Sequence, residues 1–285
     1  SCGKHLDAAR HQDIYSGRFA AVVNHTGVTS LSHSFRMAAD DRLFLSPLMF
    51  GASPDQDPFA YSRCSSFDLD PIYGTIDPNT DMLRNLASTP VRIYAALQDP
   101  ISILLTQTEH FETQLALRGG SGDSLRGPYA VHDWYTMNEA STLDWLSTKQ
   151  LGAPNPYTTY NLLADRSARW HGFWMGQREP NRLMPLTYQV QPNRNRLYTI
   201  GTENLARIDV FPQSLGLRTS DVFEWVFGNQ DAAQVQLVIR GVTHYPFDVT
   251  RNGVSTIAWS YDPILRQMVL LEDDAASVPR WSVHF

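Results

Sequence analysis

The chain has 285 residues, of which 42% are hydrophobic and 18% charged, the balance of a folded protein with a sizeable core. Its net charge of −6 offers no basic surface for nucleic acid or anionic lipid, and no apolar run reaches the roughly 18 residues of a membrane span. Neither nucleic acid nor a membrane is therefore expected as a partner. Two cysteines, Cys2 and Cys64, leave open either one disulfide bridge or two thiols.

The first part of the chain predicts a helix, a strand and a long insertion. Residues 3–14 carry apolar side chains at helical spacing, and the apolar run at 19–24, with glycines on both sides, predicts a buried strand. Residues 28–78 show no sustained period and are rich in Ser, Asp and Pro, which indicates a lid-like insertion. A short helix capped by Asn79 is expected to follow.

Alternating strands and helices continue through the first half of the chain. The run VRIYAAL at 91–97 predicts a second buried strand, and residues 102–120 predict an amphipathic helix that ends at two glycines. The glycine-rich stretch at 119–124 predicts a loop, and residues 138–151 predict another helix, capped by Asn138. This order predicts an α/β fold in which helices cover a parallel sheet.

The composition changes near residues 152–161, after which short strand-like runs dominate. The segment AQVQLVIR at 233–240 alternates apolar with polar side chains, the period of a half-buried strand, and the Asn-Gly pair at 252–253 is typical of a hairpin turn. Two domains are therefore expected. Residues 1–152 would hold the α/β part, and residues 160–285 would form a β-rich accessory domain of β-sandwich type.

Three residues of the first domain have the types and the order of a serine hydrolase triad. Ser1 precedes the first predicted helix, Asp99 lies two residues beyond the second predicted strand, and His132 lies in a loop before a helix. An imidazole activates a serine hydroxyl when a carboxylate holds the imidazole in the correct tautomer. Such groups collect in the loops at the carboxyl ends of parallel strands.

Three segments resemble the α/β-hydrolase family, in its esterase, polyester-depolymerase and dienelactone-hydrolase branch. Residues 1–28 are similar to the nucleophile elbow with the helix and strand behind it. Residues 88–102 are similar to the strand that ends in the triad acid, and residues 127–146 to the histidine loop and the last helix. The opening tripeptide SCG matches the last three positions of the family motif G-x-S-x-G.

The resemblance implies a reaction and the residues that carry it. Ser1 would be the nucleophile, His132 the general base and acid, and Asp99 the carboxylate that orients His132. The backbone N–H of Cys2 would be one oxyanion-hole donor. The substrate would be a carboxylic ester, either small or polymeric, and neither a metal nor an organic cofactor is expected.

The resemblance also implies a partner, because the family's earlier strands precede its nucleophile. Those strands would come from an N-terminal chain cut from the same precursor immediately before Ser1, which gives a nicked two-chain enzyme. The expected fold class is thus α/β, with an α/β-hydrolase sheet completed by this missing N-terminal chain and with a C-terminal β-sandwich-like domain.

Two other functions remain open. In an N-terminal-nucleophile amidohydrolase or peptidase, autocleavage exposes Ser1 and its α-amine acts as the base. The helix predicted at 3–14 argues against this function, because that fold begins with a strand. The other is a non-catalytic polysaccharide- or polymer-binding protein with an aromatic face on its second domain, although core packing is the favoured role of those aromatic side chains. His25, near the end of the first strand, is interpreted as a hydrogen-bonding residue at the edge of the site.

Overall fold

A computed structural model describes residues 20–40, 51–127, 137–150, 155–170, 172–231, 233–273 and 278–285. The helix predicted at 3–14 lies outside these residues. The chain divides into two compact units, Ser1–Gly152 (unit 1) and Ala153–Phe285 (unit 2). Within the described ranges, no helix combines the length and the apolar character that crossing a bilayer requires.

The described part of unit 1 contains a parallel sheet with helices between and after its strands. Its described elements are β1 (Val22–His25), α1 (Leu31–Met37), α2 (Pro58–Ser62), β2 (Val91–Ala96), α3 (Ser102–Leu117), β3 (Gly122–Gly127) and α4 (Glu139–Ser147). The strands pair in the order β1-β2-β3, and both pairs are parallel. The predicted strands at 19–24 and 91–97 and the predicted helices at 102–120 and 138–151 are confirmed.

Strand β2 is buried at all six positions because side chains pack against both of its faces. Val91 and Ile93 belong to one apolar cluster with Phe111 and Leu115 of α3. The alternate residues of β2 point to the other face, where α4 lies. Asn138 caps α4 as predicted, because its side chain accepts the backbone N–H of Ser141.

Two local predictions in unit 1 are wrong. The stretch 119–124, predicted as a loop, runs into β3, which pairs with β2 along its whole length. The short helix assigned to an Asn79 cap is instead a 3₁₀ helix over Met82–Leu86, capped by Asp81. The segment 28–78 also holds more regular structure than its lack of a period indicated, since it contains α1 and α2 and buries Phe67 in the core of the sheet.

Unit 2 is built from strands. They are β4 (Thr159–Ala164), β5 (Ala168–Trp170), β6 (Phe173–Gln177), β7 (Met184–Gln191), β8 (Arg196–Thr202), β9 (Leu205–Val210), β10 (Phe223–Asn229), β11 (Val235–Arg240), β12 (Asp248–Arg251), β13 (Val254–Ser255), β14 (Trp259–Asp262), β15 (Gln267–Glu272) and β16 (Arg280–His284). Short 3₁₀ helices cover Pro192–Arg194 and Pro212–Leu215. One sheet has the order β13-β12-β16-β10-β8-β7-β4 and the other β14-β15-β11-β9-β6-β5.

The predicted fold class, α/β with an α/β-hydrolase sheet and a β-sandwich-like domain, is wrong. Across the described residues strands outweigh helices, and the large sheets are mixed, which defines a β-rich fold. The mixing has a simple cause: consecutive strands β8 to β11 alternate between the two sheets. Each strand therefore lies parallel to the strand two places earlier, as in the pairs β8–β10 and β9–β11.

Side chains join the two sheets of unit 2. The rings of Phe173 on β6 and Tyr188 on β7 pack edge to face with centroids 4.9 Å apart. The segment at 233–240 forms β11 as expected, but Val238 is buried as well, because β11 lies between β9 and β15. Asn252 and Gly253 have φ of 55° and 78° between β12 and β13, the left-handed pair that a tight hairpin turn needs.

Candidate active site

Asp99 is the one predicted site residue within the described part of the chain, and it lies three residues beyond the end of β2. Ser1, Cys2 and His132 lie outside the described residues. The described residues therefore bring no two members of the predicted triad together. The described residues do define the edge of the sheet at which Asp99 lies.

That edge is formed by the carboxyl ends of three parallel strands. His25 ends β1 and pairs with Tyr94, and Ala96 ends β2 and pairs with Gly127, the last residue of β3. Because the strands are parallel, the chain leaves all three at the same edge. Asp99 follows β2 there, and the chain beyond β3 leads to position 132 after five residues.

The Asp99 carboxylate has a defined hydrogen-bond partner. Its Oδ1 accepts the backbone N–H of Ile101 at 2.8 Å, and its own N–H donates to the carbonyl of Ala96 at 3.2 Å. Ile101 caps α3 without a side-chain hydrogen bond, so Asp99 is also the turn residue that starts this helix. The Asp99 carboxylate is half-buried and has a structural role in this turn, in addition to any role in catalysis.

Arg92 fixes α4 against β2. Its Nη1 donates to the carbonyl of Ser141 at 2.9 Å, and its guanidinium lies 4.7 Å from the ring centre of Trp145. Its Nε and Nη2 both donate to Oδ2 of Asp123 on β3, at 2.9 and 2.6 Å. One side chain thus ties together two strands of the sheet and the helix that follows them.

Tyr94 fixes the same helix nearer the edge. Its hydroxyl lies 2.6 Å from Oγ1 of Thr142, and that threonine hydroxyl donates its hydrogen to the carbonyl of Asn138. Tyr94 is therefore the donor in the first bond, since a hydroxyl has one hydrogen. The buried ring of His25 packs edge-on against Tyr94, with centroids 6.1 Å apart. His25 is buried at the end of β1, at the carboxyl edge of the sheet.

A cavity of about 360 Å³ lies between β1 and α4, within the size range of small-molecule sites. Apolar side chains dominate its lining. The described residues that line it are Val23, His25, Met137, Glu139, Thr142, Leu143 and Leu146.

A buried polar cluster behind β1 is a feature that the sequence interpretation missed. The Oε1 of Gln107 on α3 accepts the backbone N–H groups of Thr29 and Ser30, at 2.8 and 2.9 Å. Its Nε2 lies 3.1 Å from Nδ1 of His33 and 2.9 Å from Oγ of Ser34. Gln107 therefore fixes the start of α1 to α3.

The charge state of His33 follows from these surroundings. Burial is the main cause that lowers its pKa below the ordinary value, and the positive charges of His110 and Arg36 lower the pKa further. The dense run of hydroxyl and histidine side chains TSLSHS at 29–34 is the sequence signal that marks this cluster. Its hydrogen bonds join α1 to α3, so the cluster supports the fold.

No group of three histidine, cysteine or acidic side chains with metal-binding geometry occurs among the described residues.

In unit 2, Phe173 and Trp281 are fully buried, in keeping with core packing. Tyr245 is exposed and packs edge-on against Trp259 and Tyr261, with 5.6 Å between centroids in both pairs.

A comparison of the chain with protein-family models finds no match, and a comparison with curated proteins finds none either. The function therefore has to be argued from the sequence motifs and from the geometry at the edge of the parallel sheet.

Proposed function

We propose that the protein is a serine hydrolase that cleaves carboxylic esters, with Ser1 as nucleophile, His132 as general base and acid, and Asp99 orienting His132. The supporting observation is the position of Asp99, directly beyond the middle strand of a parallel sheet. The neighbouring strand β3 ends at the same edge, and His132 follows its end by five residues of sequence.

The proposed reaction passes through an acyl-enzyme. His132 takes the proton of the Ser1 hydroxyl as its oxygen attacks the ester carbonyl, and the backbone N–H of Cys2 stabilises the resulting oxyanion. The ester C–O bond then breaks, and His132 gives the proton to the departing alcohol. A water molecule, activated by His132, attacks the acyl-enzyme and releases the acid and the free serine.

The fixed position of α4 supports this assignment. Arg92 and Tyr94, on the strand that leads to Asp99, bind Ser141 and Thr142 of the helix that follows position 132. The strand before the proposed acid and the helix after the proposed base are thus held together by direct hydrogen bonds. Catalytic groups need such rigid support, because small displacements cost large factors in rate.

Covalent labelling tests the nucleophile. Treatment with a fluorophosphonate, followed by peptide mapping, should place one adduct on Ser1, and the Ser1→Ala variant should remain unlabelled. Labelling at another serine, or none in a protein that hydrolyses esters, would overturn the assignment of Ser1. The intact mass of the same sample checks the further prediction of a second chain from the same precursor.

The Asp99→Asn variant separates catalysis from turn formation. Asparagine keeps an Oδ1 that accepts the Ile101 N–H, so the stability should stay at the wild-type value. Loss of the negative charge should lower kcat on the order of 10⁴-fold, because the imidazole is then held in the wrong tautomer. Steady-state kinetics and thermal unfolding of the same samples provide both values.

A matched control is Asp70→Asn, also in unit 1. Asp70 Oδ1 accepts the backbone N–H groups of Ile72 and Tyr73, both at 2.8 Å, so it makes the same kind of turn away from the sheet edge. Its activity should equal that of the wild type. Equal activity of Asp99→Asn and Asp70→Asn would remove Asp99 from the mechanism.

The His132→Ala variant distinguishes the triad from an N-terminal-nucleophile enzyme. The triad needs an imidazole base, so activity should be lost. An N-terminal-nucleophile enzyme uses the α-amine of Ser1 as its base and should retain activity.

A further inference from the structure

The cavity beside β1 begins at the carboxyl edge of the sheet and runs along α4. Tyr94 contacts the side chain of Thr142, whereas Arg92, two residues nearer the start of β2, contacts the ring of Trp145 and the carbonyl of Ser141, which in a helix points toward the C-terminal end. Helix α4 therefore runs back along the strand from this edge. Glu139 and Leu146 both line the cavity, and because of this direction of α4 Glu139 is nearer the sheet edge, with Leu146 about 10 Å further along at the helical rise of 1.5 Å per residue.

The lining defines the chemistry of a ligand. Val23, Met137, Leu143 and Leu146 supply apolar surface along the length of the cavity. Glu139, at the edge end, places a carboxylate where a negatively charged ligand would be repelled. The cavity therefore suits a neutral apolar chain whose polar end stays at the sheet edge.

We propose that this cavity binds the acyl chain of the ester. The substrates are then esters of medium-length acids with uncharged alkyl chains, from butyrate to octanoate. This inference rests on the proposed ester hydrolysis, because the chain enters from the edge where Asp99 stands. Burial of each additional methylene group should raise kcat/KM by roughly fourfold until the cavity is full.

Chain-length profiles test the inference. The kcat/KM values for para-nitrophenyl acetate, butyrate, hexanoate and octanoate are measured for the wild type and for Val23→Phe, which narrows the cavity at β1. The ratio of octanoate to acetate should fall at least tenfold in this variant. Leu146→Ala, which lengthens the cavity, should move the preferred ester to a longer chain.

The control is Leu117→Phe on α3, where the leucine side chain is 72% exposed and lies outside the lining. Its chain-length profile should match that of the wild type. Binding of octanamide, measured by calorimetry, provides a second readout that needs no turnover, and Val23→Phe should weaken it at least tenfold.

The outcomes are distinguishable. Ester hydrolysis with the same profile in wild type, Val23→Phe and Leu146→Ala would overturn the acyl site and leave the hydrolase intact. A large loss of Tm in Val23→Phe, with an unchanged profile and no octanamide binding to the wild type, would show that the chain itself fills the cavity. No hydrolysis of any ester would overturn the proposed function and the acyl role together, even where octanamide still binds.

Discussion

Gln107 and His33 are buried polar side chains that lie in hydrogen-bond contact. The Oε1 of Gln107 accepts two backbone N–H groups, so its amide nitrogen has to face His33 and Ser34. That nitrogen has two hydrogens and also lies 3.1 Å from the carbonyl oxygen of Ser30, so Ser30, His33 and Ser34 share its donors. Burial of His33 lowers its pKa and so favours the neutral imidazole in the folded protein.

This arrangement predicts a loss of stability in acid. Burial holds the pKa of His33 below its ordinary value of 6.5, so the unfolded chain takes up this proton at a higher pH than the folded chain does. The contribution of neutral His33 is complete above pH 6.5 and is lost as the pH falls from 6.5 through the folded pKa. Thermal unfolding of the wild type should show Tm falling across this interval.

The variant His33→Gln should have a flatter dependence of Tm on pH in the same interval, because the titrating group is gone. Exposed His244 in unit 2 provides the comparison, and His244→Gln should keep the wild-type slope. Identical slopes in wild type and His33→Gln would contradict the role given to burial.

Among single residues, Asp99 and His33 show what the sequence alone can and cannot predict. The position of Asp99 after β2 is predictable because Asp99 lies two residues beyond the mostly apolar run at 91–97, which is a purely local signal. His33 has its partner 74 positions away in Gln107, and only the packing of α1 against α3 brings the two together. No local pattern contains that information.

The same limit applies to whole elements. Strand β2 is predictable because it is apolar at most positions and buried at all of them. Strand β3, with the sequence GDSLRG, is mostly exposed, so its polar and glycine-rich sequence carries no strand period. This segment is a strand because its backbone pairs with β2, and that pairing depends on tertiary structure.

Glu272 is the side chain that most directly couples strands of the two sheets in unit 2. It lies on β15 and is buried, and its Oε1 accepts from Nη2 of Arg251 on β12 at 2.7 Å. Its Oε2 accepts the indole N–H of Trp281 on β16 at 2.9 Å. The Glu272→Ala variant should be less stable by about 1–3 kcal/mol, because it leaves the indole N–H of buried Trp281 without its acceptor and removes the carboxylate that partly exposed Arg251 binds.

Urea unfolding followed by tryptophan fluorescence measures this loss. The matched control is Glu203→Ala, which removes a carboxylate 3.3 Å from Arg182 in a pair whose side chains are 38% and 46% exposed. That change should cost less than about 1 kcal/mol. Similar losses in the two variants would contradict the role given to the buried carboxylate.

At the scale of the whole molecule, unit 2 has a core of its own. Its fully buried side chains include Trp225, Trp281, Tyr188 and Phe173, and all strand pairs of its two sheets lie within residues 153–285. This segment expressed alone should give a β-type circular dichroism spectrum and one cooperative urea transition. A non-cooperative or unstructured fragment would show that the core depends on unit 1.

The fold class was missed at this scale for a physical reason. Alternating helix and strand signals in unit 1 are strong because its helices are amphipathic and its central strands apolar, whereas the strands of unit 2 are short. Strand period alone does not reveal which strands pair, so the parallel pairs β8–β10 and β9–β11 had no sequence signal.

The alternation of β8 to β11 between the sheets has a consequence for the rate of folding. Arg196 of β8 pairs with Glu224 of β10 only after the intervening chain has crossed to the other sheet and returned. The same is true of β9 and β11. The connection between the paired strands of one sheet therefore contains a strand of the other sheet. Because these parallel pairs join strands that are distant in sequence, we expect unit 2 to fold slowly.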